Sequence, residues 1–226
     1  MRRVFENRFS CRDLWRLGSA LAIVMLLLDA GIRSASLFPV VAANSAESEA
    51  SLSREAATAA SSKFRLIEQA YDSGESFGAL RLTEQEVNSY FEYELAPSIP
   101  AGVSNLRLQF EPGRPAGSAV IDFDTLKEGL RTPPHPIADF LLRGVHTLGV
   151  EGTFSGVNGV GEFQLEKVTL DGYTLPRPVV EYLIEHYLRP RYPAAAISRP
   201  FVLPYSIDQA TVEAGSVLLQ GKAARL

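Results

Sequence analysis

From Leu106 onward this chain repeatedly alternates apolar and polar residues with a period of two, and that rhythm limits its folding more than any other feature. Leu106, Leu108 and Phe110 are separated by Arg107 and Gln109. Ala119, Ile121 and Phe123 share one parity, with Asp122 and Asp124 on the other. Phe201, Leu203, Tyr205 and Ile207 also keep one parity. Successive side chains of a strand point to opposite faces, so each run predicts a half-buried strand. Pro112, Gly113, Pro115 and Gly117 form a turn cluster between the first two runs, which therefore read as an antiparallel hairpin.

Residues 146–156 and 161–170 read as two more strands around Asn158-Gly159, a dipeptide that favours the type I′ hairpin turn. In the second of these, Phe163 and Leu165 have one parity and Val168 and Leu170 the other. A parity switch within one strand predicts a β-bulge near Glu166-Lys167. Residues 212–221 give a last strand, turned at Ala214-Gly215.

Three segments follow helical spacing instead. Ala60, Phe64, Ile67 and Tyr71 place a helix that ends near Gly74, with a narrow apolar stripe. Residues 82–95 carry Thr83 and Glu86 as a capping box, with Val87, Tyr90 and Phe91 facing inward and Pro97 and Pro100 stopping the helix. Residues 178–189 present Val180, Leu183, Ile184, Tyr187 and Leu188 on one side. Residues 137–142 have the length of a further short helix, after a loop with three prolines. The sum is an α+β fold: a mainly antiparallel, curved β-sheet of about six strands with helices packed on one face.

The N-terminus sets the topology. A leader with five arginines precedes residues 17–28, an uncharged apolar run with the length of a signal-peptide core. Val41-Ala42-Ala43 offers small residues for cleavage. The other reading is an uncleaved anchor that continues through Asp29 and Arg33. Residues 1–43 are thus expected to be a signal peptide or signal-anchor, 44–75 a linker and helix, and 76–226 a single α+β extracytoplasmic domain. The expected location is periplasmic, secreted or anchored to the inner membrane, in the cell envelope.

Residues 1–43 hold six of the 22 basic and three of the 26 acidic residues, which leaves the remainder at net −7. Such a domain is a poor partner for a phosphate backbone, so no nucleic acid is expected. The single cysteine, Cys11, lies upstream of the apolar run, so no disulfide framework is available beyond it. His135, His146 and His186 fit no linear metal motif, and neither a metal nor a cofactor is expected. No G-x-S-x-G elbow or other catalytic motif occurs, so no catalytic residue is assigned and an enzyme is not expected.

Leu82-Thr83-Glu84-Gln85-Glu86-Val87-Asn88 resembles the L-T-E-x-E-L-N opening of the YpmS-like family of membrane-anchored bacterial extracytoplasmic proteins. The stretch from Ile207 to Gly221 resembles the V-x-V-x-x-G-x-L-x-L-x-G strand pairs of that family and of exported lipid-binding proteins of the mycobacterial LmeA type. The resemblance implies an envelope protein whose elongated sheet holds lipid. It carries no catalytic set.

Several local groups suggest sites. Asp122 and Asp124, two apart on a predicted strand, would face the same way as a cation or acid/base pair, or merely solvate a wet face. Glu181, Glu185 and His186 line the polar side of the last helix. Gly156, Gly159 and Gly161 lack phosphate-loop spacing and read as a hairpin. Arg189, Arg191 and Arg199 flank Tyr187 and Tyr192, a basic-aromatic cluster suited to headgroups or a partner. The binding set expected for an apolar ligand is Val180, Leu183, Ile184 and Tyr187 from the helix with Phe201, Leu203 and Tyr205 from the next strand. Arg189 and Arg191 are placed at a headgroup or partner. The expected function is an extracytoplasmic, membrane-associated binding module for lipid or another apolar ligand. The other reading is a structural or regulatory envelope protein acting through protein contacts.

Overall fold

The computed structural model describes residues 51–128, 142–188 and 200–222. Elements are numbered here in chain order among those residues. Ser53 caps α1 (Arg54–Ser73) by accepting from the Ala56 N–H, and Gly74 ends it in the left-handed conformation. Of the predicted stripe, Ala60 and Ile67 are buried and Phe64 meets the Tyr90 ring edge-on, whereas Tyr71 at the helix end is exposed; Ala57 is buried as well. The predicted helix over 82–95 needs correction at its start. Leu82 belongs to a strand, β1 (Ala79–Thr83), and α2 (Glu84–Tyr90) begins after it. The capping box of Thr83 and Glu86 is formed as expected. After α2 the chain widens into a π turn, Phe91–Leu95, and then a 3-10 turn, Ala96–Ser98, containing Pro97.

β2 (Val103–Glu111) and β3 (Arg114–Asp122) form the first predicted hairpin, with Leu106, Leu108 and Phe110 buried. The turn is tighter than the Pro/Gly cluster suggests, because Pro115 and Gly117 lie within β3. The tip is used as a wedge: the Gly113 N–H donates to the Val212 carbonyl, and its own carbonyl accepts from the Phe154 N–H. Phe123 does not continue the strand. It opens α3 (Phe123–Glu128). The helix expected over 137–142 lies outside the described residues except for Leu142, which is buried.

β4 (Val145–Val157) and β5 (Val160–Leu170) pair across Asn158-Gly159. Both turn residues have positive φ, 55° and 73°, as a type I′ turn demands. The predicted bulge is there. Glu151 pairs with Lys167 and Gly152 with Leu165, leaving Glu166 as the extra residue, in an ion pair with Arg114. β6 (Tyr173–Thr174) folds back on β5 through Asp171-Gly172. α4 (Arg177–Leu183) has Pro176 before it and Pro178 in its first turn, and it passes into a second π turn, Ile184–Leu188.

The alternating run from Phe201 to Ile207 is not one strand. β7 (Phe201–Val202) ends early, and Tyr205 and Ser206 both take positive φ, 53° and 55°. Two consecutive left-handed residues turn the chain, closed by Ile207 N–H to the Pro204 carbonyl. β8 (Ile207–Glu213) then pairs with β9 (Ser216–Gly221) across Ala214-Gly215, so the final hairpin has two full arms.

All nine strands belong to one antiparallel sheet, and the path β1-β9-β8-β4-β3-β2 does not close on itself. Six strands form that path; β5 joins β4 alongside it, with the two-residue strands β6 and β7 on β5. The register places Leu82, Val217, Val212, Ala210, Val150, Val168, Leu165, Phe163, Leu108 and Phe110 on one face, and all are buried. Helices cover this face. The opposite face carries Arg107, Glu151, Lys167, Gln164 and Glu213. Among the described residues no helix is long and apolar enough to cross a membrane; the apolar run at 17–28 lies outside them.

α2 is pinned to the edge of the sheet by two side chains, Asn88 and Glu84. The Asn88 amide donates to the Leu108 carbonyl at 2.9 Å, and its oxygen accepts from the Leu108 N–H at 2.7 Å. Glu84 accepts from the Phe110 N–H, and the Phe110 carbonyl accepts from the Gly215 N–H. Asn88→Ala strands two buried backbone groups and is expected to cost about 2–4 kcal/mol in urea unfolding. Lys167→Ala breaks an exposed pair with Glu151 and is expected to cost under about 1 kcal/mol in the same assay.

Candidate functional site

The expected apolar set divides between two clusters. Val180, Ile184 and Leu203 are buried in the main core, beside Phe163, Leu165 and Val168, with Phe201 and Tyr205 half-buried against it. Leu183 packs instead on a second cluster of Ile121, Phe123, Leu126 and Leu142, as does Tyr182. Val103, Ala119 and Leu148 are half-buried and touch both clusters. α4 therefore straddles a seam, one side of the helix in each cluster. The side chain of Tyr187, and all of Arg189, Arg191, Arg199 and Tyr192, lie outside the described residues.

Near β7 the sheet face is filled by rings lying over glycines. A methyl group on Gly152 would sit 2.5 Å from the Phe163 ring, and one on Gly161 would sit 2.3 Å from the Phe201 ring and 2.9 Å from Leu203. Both sites need glycine because an aromatic ring, and at Gly152 also the Gln164 carbonyl at 2.3 Å, occupies the space of a Cβ. Tyr205 leans edge-on against Tyr71, with ring centroids 5.6 Å apart.

Asp122 and Asp124 do not form a pair on a strand. Asp122 is the last residue of β3 and caps α3. Its Oδ1 accepts from the Asp124 and Thr125 N–H groups and its Oδ2 from the Thr125 hydroxyl at 2.7 Å. Asp124, in the first turn of the helix, accepts from the Gly144 N–H and pairs with Lys127. These bonds satisfy donors that a helix start leaves open. The Thr125 hydroxyl, then the Thr125 and Asp124 backbone donors, hold the Asp122 carboxyl below its ordinary 3.8. A lowered folded pKa gives stability present above the ordinary value and lost as pH falls through the folded one. Asp122→Ala is thus expected to lower the urea midpoint at neutral pH. The gap from wild type should close as pH drops below 3.8.

On α4, Glu181 pairs with Arg177 rather than with Glu185. His186 stacks on Tyr182 at 4.1 Å, and its Nδ1 lies 3.1 Å from the Tyr182 carbonyl. Among the described residues no group of three or more His, Cys, Asp or Glu is placed to hold a metal ion.

Two groups escaped the sequence reading. One is His146 with Asp171. The imidazole Nδ1 lies 2.7 Å from the Asp171 carboxylate and Nε2 lies 2.7 Å from the Arg143 carbonyl. Asp171 also accepts from the Thr147 N–H. The signal for this corner was Asp171-Gly172, a type I′ turn dipeptide that marks a hairpin as plainly as Asn158-Gly159 does. The other is a row of valines on the open face. Val157, Val160 and Val202 are neighbours on β4, β5 and β7, and they are 52%, 43% and 82% exposed.

Comparison with protein-family models, curated proteins and solved structures finds no match to this chain.

Proposed function

We propose that the protein is an extracytoplasmic, membrane-associated binding module that takes an acyl chain or similar apolar ligand beneath α4. The observation that carries this reading is the position of α4 across the seam, with Val180 and Ile184 in one cluster and Tyr182 and Leu183 in the other. Displacing the helix would uncover apolar side chains of both clusters along one line. Half-buried Leu148, Leu183, Phe201 and Tyr205 then give apolar surface to a chain entering there. Burial of that surface would drive binding at about 25 cal/mol per Å². The π turn at Ile184–Leu188 adds support, since such widened turns recur at functional sites. The basic leader and apolar run of the N-terminus support the membrane-associated setting.

Native mass spectrometry of the full chain in detergent, with organic extraction of what co-purifies, tests the proposal. A lipid at fixed stoichiometry is expected. Leu183→Asp should release it with the circular dichroism spectrum kept, whereas Leu165→Asp, inside the main core, should unfold the protein. A mass free of lipid after incubation with envelope lipids would sink the reading.

A second reading rests on the Val157–Val160–Val202 row. Exposed apolar side chains on adjoining strands also suit an envelope protein that acts by binding another protein. Crosslinking in cells from a photoreactive residue at position 202 should then capture one protein species, and capture of lipid alone would count against it.

A further inference from the structure

The corner formed by α3, the start of β4 and the β5–β6 turn carries an inference independent of any ligand. Residues 142–146 return to the sheet there. They are fastened to α3 by two backbone groups of Gly144: its N–H donates to Asp124, and its carbonyl accepts from the Phe123 N–H. The His146 side chain fastens them further. Both of its ring nitrogens face acceptors at 2.7 Å, a carboxylate oxygen of Asp171 on one side and the Arg143 carbonyl on the other. A carbonyl oxygen and an ionised carboxylate bear no hydrogen to give. Both bonds can exist together only when both nitrogens carry protons, which is the imidazolium.

We infer that His146 is a pH-sensitive latch, which as imidazolium ties the 142–144 return to the Asp171 turn and as neutral imidazole must release one of the two.

The surroundings favour the charged ring. Asp171 faces it from the β5–β6 turn and Asp124 acts on it from α3, where its carboxylate is shared with Lys127 and Gly144. Phe123 lies beside it at 5.9 Å, within the range of a cation–π contact. Arg143, on the same stretch, contributes its carbonyl to the ring. The Asp171 hydrogen bond, then the Arg143 carbonyl and the charges of Asp171 and Asp124, outweigh partial burial and raise His146 above its ordinary 6.5. His146 and the Thr147 N–H in turn lower Asp171 below 3.8.

The signs of the two titrations define a window. A raised histidine gives stability that is full below its ordinary value and lost as pH rises through its folded one. A lowered carboxylate gives stability that is present above its ordinary value and lost as pH falls through its folded one. The latch is therefore complete between 3.8 and 6.5 and opens on the alkaline side. Opening acts on packing as well, because Leu142, beside Arg143, is buried with Ile121, Phe123 and Leu126.

The test is a titration of the full chain in detergent between about pH 5 and about pH 8.5, the range over which histidine changes charge. The Cε1–Hε1 signal of His146, assigned by its loss in His146→Gln, is expected to show a midpoint above 6.5. Asp171→Asn should bring that midpoint down. Deuterium uptake over residues 142–145, corrected for chemical exchange and referred to α1, should rise about fivefold across the midpoint, the change expected for one lost hydrogen bond. In His146→Gln the uptake should not depend on pH. A midpoint at or below 6.5 would overturn the inference, as would equal uptake on both sides of the midpoint. The titration and uptake of the wild-type protein decide the matter even if a variant fails to fold.

Discussion

The amide of Asn88 stands in for a strand that β2 lacks. Beyond Leu108 the edge of the sheet would otherwise bury an N–H and a carbonyl without partners, a cost comparable to that of the hydrogen bonds themselves. Asn88 meets both groups and in doing so fixes α2 over the core. Glu84, one helical turn earlier, takes the next edge donor, at Phe110. Gly215, in the final hairpin, supplies the donor that the Phe110 carbonyl needs. Glu86 closes the capping box and holds Lys63 of α1 at 2.7 Å. One short stretch therefore joins α1, α2, the β2 edge and the last hairpin. Thr83, Glu84, Glu86 and Asn88 each have a part in this joint.

That account shows where sequence is informative. Alternation located β2, β3 and β5, because a strand with one wet face writes its burial directly into the residue order. The parity switch after Leu165 located the bulge for the same reason, and Asn158-Gly159 located its turn through backbone chemistry alone. What failed were places where tertiary contacts override the pattern. The alternation at Phe123 runs straight into a helix because Asp122 caps it. The alternation at Tyr205 conceals two left-handed residues, a conformation that neither Tyr nor Ser advertises. β1 was hidden because Leu82 suits either a strand or the first turn of a helix, and only its pairing with Val217 decides.

The candidate regions were legible to different degrees. The helical stripe of Val180, Leu183 and Ile184 named the right helix, but one stripe cannot say that its members enter two different clusters. The valine row was illegible for a related reason. Val157, Val160 and Val202 become neighbours only through the registers of two strand pairs, one of which forms a strand of two residues. His146 was passed over because a single histidine has no meaning until its two acceptors are known. Covered and open faces of the sheet thus offer separate surfaces, α4 above one and the valines on the other.

The pairing of β1 with β9 has a consequence for how the molecule comes to be folded. Ala79 lies opposite Gln220, and Thr83 opposite Ser216, so among the described residues the first strand pairs with the last. Closing so long an intervening chain is entropically costly, and folds dominated by such pairings form slowly. α1 and α2 dock beside β1, so much of the cover over the core waits on the same event. A chain emerging N-terminus first would hold β1 as an unpaired, apolar-faced segment until Ser216–Gly221 followed it. Up to that moment it remains threadable, and dependent on whatever protects it from pairing elsewhere.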